Sequence, residues 1–122
     1  MRPMDEGERH RLMEAGRAAF NRGEFYEAHE HWEDVWNEID DPERTWVQGL
    51  IQVATGLHKV SGDKRGPART LLEKALAKLG DAPGDFDGFD VATMKREAAA
   101  ALAVLSDGKL PDARGVRLRK AP

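Results

Sequence analysis

The sequence predicts an all-α protein of about five helices, packed as antiparallel αα-hairpins in a single-domain helical bundle. Apolar residues recur at three- and four-residue steps through most of the chain, and a sustained alternation typical of strands is nearly absent. The segments between the first four periodic stretches are short, which favours antiparallel neighbours. A chain of 122 residues can bury a core without disulfides.

The first two helices have recognisable ends. Asp5 and Glu8 have the spacing of a capping box, so the first helix is expected to begin at Asp5 and to end at residues 21–23 (Asn-Arg-Gly). The second helix is expected over about 24–38. Its apolar stripe comprises Phe25, Ala28, His29, Trp32, Val35, Trp36 and Ile39.

The third helix is predicted over 43–61, with Asp41 as N-cap and Pro42 as the first helical residue. Its apolar arc is broad, which indicates a central helix with neighbours on two sides. Gly49 and Gly56 share one of its faces. Because glycine weakens a helix, close packing against another backbone is the expected compensation.

The remaining helices follow two glycine-rich turns. Pro67 is expected to open the fourth helix after the turn at 62–66, and Asp90 is expected to cap the fifth after the loop at 80–88. The predicted domain therefore covers residues 1–105. Residues 106–122 are expected to form an extended, partly frayed C-terminal tail.

One inter-helix turn resembles that of a tetratricopeptide repeat. In residues 23–28 a glycine, an aromatic residue and a small residue allow two helices to pack closely. A second copy is not visible about 34 residues later, as that repeat would require. The sequence therefore does not support a solenoid.

Composition narrows the class of protein. The absence of cysteine excludes thiol nucleophiles, disulfides and zinc–cysteine sites. The first residues lack the apolar segment of a signal peptide, and no run approaches the roughly 18 apolar residues of a membrane span. A soluble, cytoplasmic protein is expected. The net charge of -3 argues against nucleic acid as partner.

The densest group of polar side chains lies at residues 26–34. On a helical wheel, His29 lies at the edge of the tryptophan-containing stripe, with Glu33 one turn further along. Tyr26 and Glu30 lie on the same flank. The opposite face, expected to point to water, carries Glu27, His31, Asp34 and Glu38.

The third helix supplies further candidates. His58 lies at the rim of its apolar arc, and Gln48 and Gln52 lie one turn apart on its polar strip. If the second and third helices are antiparallel, His29, Glu33 and His58 can converge. The predicted polar pocket comprises Tyr26, His29, Glu30, Glu33, Gln48, Gln52 and His58.

This group allows three interpretations. Two histidines and a carboxylate on facing helices are typical of metal sites in bundles, with His29, Glu33 and His58 as ligands. However, the zinc-protease motif would need a histidine in place of Glu33. His29 polarised by Glu33 could instead act as a general base. In the third interpretation the side chains hydrogen-bond one another and only fix helix register.

The string from Phe20 to Trp36 (FNRGEFYEAHEHWEDVW) resembles a prokaryotic family, domain of unknown function 309. The resemblance continues through Gln48–Ala54, His58, Gly66–Ala68 and Leu71–Leu76. It implies an all-helical fold and no established activity. The residues that match the family's motif are Glu27, Ala28, His29, Glu30, Trp32, Glu33, Trp36, Gln48, Gln52 and His58.

The resulting hypothesis is a helical binding or interaction module that could self-associate through its helical faces. The alternative is a metal-dependent hydrolase, or another small-molecule enzyme, that uses the same residues. No cofactor is required by the sequence, although it is compatible with a divalent metal.

Overall fold

Five helices pack in chain order, each against the next. The computed structural model describes residues 4–122, so the first three residues of the predicted domain lie outside the described residues. The helices are α1 (Glu6–Asn21), α2 (Phe25–Trp36), α3 (Glu43–Ser61), α4 (Arg65–Lys78) and α5 (Val91–Ser106). The predicted all-α class is confirmed, with one small addition. Two short antiparallel strands, β1 (Asp85–Phe86) and β2 (Phe89–Asp90), form a hairpin that the sequence did not predict.

The predicted N-caps of α1 and α5 are confirmed. The carboxylate of Asp5 accepts a hydrogen bond from the backbone N–H of Glu8, and that of Asp90 accepts one from Thr93. Each satisfies an N–H group that has no partner within its helix.

One predicted cap and one predicted helix start need correction. Helix α3 covers 43–61 as predicted, but its N-cap is Pro42 and not Asp41, although Asp41 accepts hydrogen bonds from the backbone N–H and hydroxyl of Thr45. Helix α4 begins at Arg65, so Pro67 is its third residue instead of its first. Proline is tolerated there because N–H groups of the first turn have no helical acceptor.

The α1–α2 and α3–α4 turns share one geometry at a spacing of forty residues. Gly23 and Asp63 both adopt left-handed backbone conformations, with φ of 81° and 56°. The following residue in each turn donates its N–H to a carbonyl five residues earlier, from Glu24 to Ala19 and from Lys64 to Lys59. Both helices end in a Schellman-type turn.

The helix contacts repeat at the same spacing. Gly16 of α1 packs against Trp32 of α2, and Gly56 of α3 packs against Leu72 of α4. The chain therefore contains two αα-hairpins of one design. The second is hard to see in the sequence because Asp63 replaces the turn glycine and Leu72 replaces the tryptophan.

Close packing also explains Gly49. A Cβ atom at this position would lie 2.6 Å from Cγ of Leu79, at the end of α4. The prediction that the glycines of α3 face a neighbouring helix is confirmed, since both Gly49 and Gly56 contact α4 or its C-cap residue.

The segment after α5 is extended, as predicted, apart from a short 3-10 helix at Ala113–Gly115, but it is packed and not frayed. Val116 and Leu118 are buried in the core. The side chain of Asn21 bonds both backbone groups of Leu118, at 2.8 Å and 2.9 Å. Lys120 then forms a bridge to Phe89 in β2. Alternation of buried and exposed residues at 116–119 is the pattern of a strand with one buried face.

Within residues 4–122, no helix combines the length and the apolar character that crossing a membrane requires.

Candidate functional site

Helices α2 and α3 form an antiparallel pair with polar side chains along their interface. At one end, the rings of Tyr26 and His58 are 5.9 Å apart. At the other end, Glu33 and Trp36 line a depression of about 180 Å³ with Gln48 and Ile51. We use the term α2–α3 groove for the interface lined by Tyr26, His29, Glu33, Trp36, Gln48, Gln52 and His58.

His29 is held by a neighbour on its own helix. Its Nε2 lies 2.7 Å from the Glu33 carboxylate, across the one-turn spacing that brings side chains together. The His29 side chain is 22% exposed and that of Glu33 is 50% exposed. The ring of Tyr26 stands edge-on to that of His29 at 5.5 Å. The imidazole is therefore oriented by a carboxylate and covered by an aromatic ring.

Three buried polar atoms in this interface have no hydrogen-bond partner. They are Nδ1 of His29, Nε1 of Trp36 and Oε1 of Gln52, and they are the complete set of such side-chain atoms in residues 4–122. Gln52 follows Gln48 by one helical turn and so shares its face of α3. Since an unpaired buried polar atom costs free energy, their concentration between two helices calls for an explanation.

Arg44 is a site residue that sequence reasoning missed. Its guanidinium lies 3.8 Å from the centre of the Trp36 ring, and its Nε donates to the backbone carbonyl of Trp36. The sequence did contain a signal for this residue, because Arg44 is the first cation after the acidic stretch at residues 24–43 and lies in the first turn of α3. Its contact depends on the angle between two helices, which a wheel diagram does not give.

The other predicted site residues are distributed unevenly. Tyr26 contacts the rings of both His29 and His58, whereas the convergence of His29, Glu33 and His58 stays a prediction. His58 also lines a separate cavity of about 250 Å³ at the α3–α4 turn. Glu30 is exposed, whereas His31, expected to point to water, is half-buried.

Metal coordination receives no direct geometric support. Among residues 4–122, no three His, Asp or Glu side chains are grouped so that they could hold a metal ion. Ligation by His29, Glu33 and His58 stays a prediction.

The protein is therefore a small helical domain in which the α1–α2 and α3–α4 hairpins meet at a polar, partly open interface, the α2–α3 groove. Residues 13–71 match the family model described as a domain of unknown function (DUF309). This confirms the resemblance seen in the sequence, and the matched segment contains α2, α3 and the whole groove.

A relative from Aquifex aeolicus (strain VF5), described as an uncharacterized protein, is 26% identical over 102 residues. The aligned region covers 83% of this chain but 31% of the relative. The chain thus spans about a third of the length of this curated relative.

Proposed function

We propose that this chain is a binding module and that the α2–α3 groove is its ligand site. The observation that carries the proposal is the set of three unpaired buried atoms on His29, Trp36 and Gln52. Unpaired buried polar groups in native proteins are explained by local strain, by a catalytic role, or by an ordered water, ion or ligand that pairs with them. The pairing of His29 with Glu33 supports the proposal, because it fixes the ring in position before any ligand arrives.

Replacing Gln52 tests the proposal without knowledge of the ligand. Gln52→Met keeps the length of the side chain and removes the unpaired oxygen. We expect the free energy of unfolding to stay equal or to rise by up to about 2 kcal/mol, because an unsatisfied polar group is removed. Urea denaturation of both proteins measures this difference.

Trp36→Phe provides a second probe, since it removes the unpaired N–H while keeping a ring beneath Arg44. Trp32→Phe is the matched control, because Nε1 of Trp32 donates to the carbonyl of Met13. We expect the control to lose more stability. If Gln52→Met instead lost more than about 1 kcal/mol, its oxygen would be a structural partner and the ligand site would be rejected.

The His29–Glu33 pair favours a second candidate, a small-molecule enzyme. A carboxylate that orients an imidazole is a common arrangement for a general base, and a metal-dependent hydrolase would use the same residues. Hydrolysis of p-nitrophenyl acetate and p-nitrophenyl phosphate tests this candidate. Turnover that disappears in His29→Ala but persists in His31→Ala would support it, and equal background rates in all three proteins would reject it for these substrates.

A further inference from the structure

The α3–α4 turn lies in a basic stretch of a chain that is acidic overall. Residues 58–69 contain four Lys or Arg residues and one Asp, whereas the whole chain has a net charge of -3. The single acid, Asp63, is already paired, because its carboxylate lies 2.9 Å from the guanidinium of Arg65. The guanidinium of Arg69 is paired as well, with Glu73 at 3.0 Å. The positive charge that remains belongs to the two lysines of this stretch.

Both lysines line a cavity of about 250 Å³ beside the turn. The lining combines two cations, an imidazole and two small residues: Lys59, Lys64, His58, Ser61 and Gly62. Lys59 is half-buried and Lys64 is exposed. Within residues 4–122, neither ammonium group has an ion pair or a hydrogen bond. A cavity with two uncompensated cations and without a carboxylate in its lining attracts an anion.

The side chains, and not the turn backbone, supply the hydrogen-bond donors for such an anion. The N–H groups of residues 62–64 bond to the carbonyls of residues 58–60, so those carbonyls of the α3 C-terminus are occupied. The hydroxyl of Ser61 donates to the carbonyl of Leu57 at 3.2 Å. The two ammonium groups and the ring of His58 are therefore the donors left in the lining. Phosphate suits them, because it has several strong acceptor oxygens.

An exposed aromatic ring adjoins the cavity next to His58. The ring of Tyr26 lies 5.9 Å from that of His58. Tyr26 is 56% exposed, more than any other large hydrophobic residue in the part of the chain that the structure describes. Pockets for drug-sized ligands have volumes of about 300–1,000 Å³, so this cavity accommodates only part of such a molecule. A ligand with its anionic group in the cavity can place a flat ring against Tyr26, where stacking favours binding.

We propose that the cavity at the α3–α4 turn binds the phosphate group of a small molecule that also carries an aromatic ring, as a mononucleotide does. Lys59, Lys64 and His58 bind the phosphate oxygens, and Tyr26 stacks on the ring. A phosphate monoester carries about 1.5–2 negative charges at pH 7, which matches two ammonium groups better than a single carboxylate does. The site does not involve the three unpaired buried atoms of the groove and therefore does not depend on the proposed function.

Binding of three probes tests the inference. They are adenosine monophosphate, adenosine and inorganic phosphate, each titrated into the natural protein by isothermal calorimetry at one ionic strength. Adenosine monophosphate should bind at least about tenfold more tightly than either of the others, because it alone engages both the lysines and Tyr26. In NMR spectra, it should shift the backbone N–H signals of Lys59, Gly62 and Lys64.

Matched lysine variants locate the phosphate group. Lys59→Gln and Lys64→Gln should each weaken binding of adenosine monophosphate by at least about fivefold, because a charge-assisted hydrogen bond is lost. Lys78→Gln and Lys74→Gln on α4 are their respective controls, since Lys78 is half-buried like Lys59 and Lys74 is exposed like Lys64. Neither control residue lines the cavity, and salt screens more distant charges. Their affinities should stay within about twofold of that of the natural protein.

Tyr26→Ala tests the contact with the aromatic ring of the ligand. It should weaken binding of adenosine monophosphate by at least about fivefold, because stacking is lost, and should leave binding of inorganic phosphate within about twofold. Leu110→Ala is the control, since it shortens the other exposed large hydrophobic side chain and lies outside the cavity lining. Thermal melts establish that all these variants fold.

Four results would overturn the inference. They are equal binding of adenosine monophosphate and adenosine, equal affinities of the cavity lysine variants and their controls, unchanged affinity in Tyr26→Ala, and unshifted signals at Lys59, Gly62 and Lys64. Each of these results leaves the proposed function of the groove intact. The test of that function, Gln52→Met, alters no residue that lines the cavity.

Discussion

Gly16 of α1 lies directly against the indole ring of Trp32 of α2. A Cβ atom at position 16 would be 2.5 Å from Cδ1 of that ring, which is closer than two non-bonded carbon atoms can approach. The indole N–H donates to the backbone carbonyl of Met13 at 3.1 Å, which holds the ring in this position. The first hairpin thus depends on the absence of a side chain at position 16.

Gly16→Ala should therefore destabilise the protein, even though alanine is the better helix former. The methyl group must push Trp32 aside, and overpacking of this kind costs about 1–3 kcal/mol. Gly115→Ala is the control, because a Cβ atom there would have no neighbour within 4 Å. Its effect should stay below about 1 kcal/mol. Urea denaturation of both variants checks the prediction, and equal stabilities would contradict it.

The C-terminal segment should contribute to global stability through Asn21. Asn21→Asp retains the acceptor for the N–H of Leu118 but removes the donor to its carbonyl, which is part-buried. The loss of this hydrogen bond should cost about 0.5–1.5 kcal/mol, because the carbonyl keeps a longer hydrogen bond from Arg17 at 3.4 Å. Hydrogen exchange should then show faster exchange at the N–H of Asp90, which donates to the carbonyl of Arg119. Unchanged protection at Asp90 would show that the segment stays docked without this contact.

His29→Ala should reduce the free energy of unfolding by no more than about 1 kcal/mol, since its partner Glu33 is half-exposed. His31→Ala on the same helix should have a similarly small effect, of about 0.5 kcal/mol. A loss of more than about 2 kcal/mol in His29→Ala would support the interpretation in which this group only fixes helix register.

Acid sensitivity should depend partly on Asp90. Hydrogen bonds from the hydroxyl and then the backbone N–H of Thr93 lower the pKa of Asp90. A lowered pKa stabilises the fold above the unfolded value of about 3.9, and this contribution is lost as the pH falls through the folded value. Asp90→Asn should therefore show a shallower loss of stability than the natural protein below about pH 4.

Thr93→Val tests the cause of this shift. Removing the hydroxyl donor should raise the pKa of Asp90, measured by NMR of the carboxyl carbon. An unchanged pKa would assign the shift to the backbone N–H and not to the side chain.

Chelation should leave the fold unchanged. Because residues 4–122 offer no group of three metal-ligating side chains, we expect EDTA to leave the melting temperature of untagged protein unaltered. Elemental analysis of the same sample provides the control. A stoichiometric metal whose removal lowers the melting temperature would place His29, Glu33 and His58 in its coordination sphere and favour the enzyme over the binding module.

The helices could be predicted from the sequence because their signals are local. The apolar period, the caps at Asp5 and Asp90 and the breakers between helices each act within a few residues. The start of α4 was predicted two residues late because proline is acceptable at several positions in a first turn.

The groove could be predicted only in part. Shared faces on α2 and α3 identified its side chains, since i and i+4 positions fall together on any helix. The stacking of Arg44 on Trp36 and the unpaired state of Gln52 depend on how the two helices face each other. Wheel diagrams contain no information about that relation.

By itself, the sequence determined the fold class, the order of the helices, the resemblance of residues 13–71 to a known family and the polar side chains of α2 and α3. The tertiary structure alone decided that Val116 and Leu118 belong to the core, that two hairpins repeat at forty residues and which polar atoms stay unpaired. The physical reason is the distance along the chain between the interacting residues. Helix formation and capping involve neighbours in sequence. Burial and hydrogen-bond pairing depend on contacts that only the folded chain creates, such as that between Asn21 and Leu118.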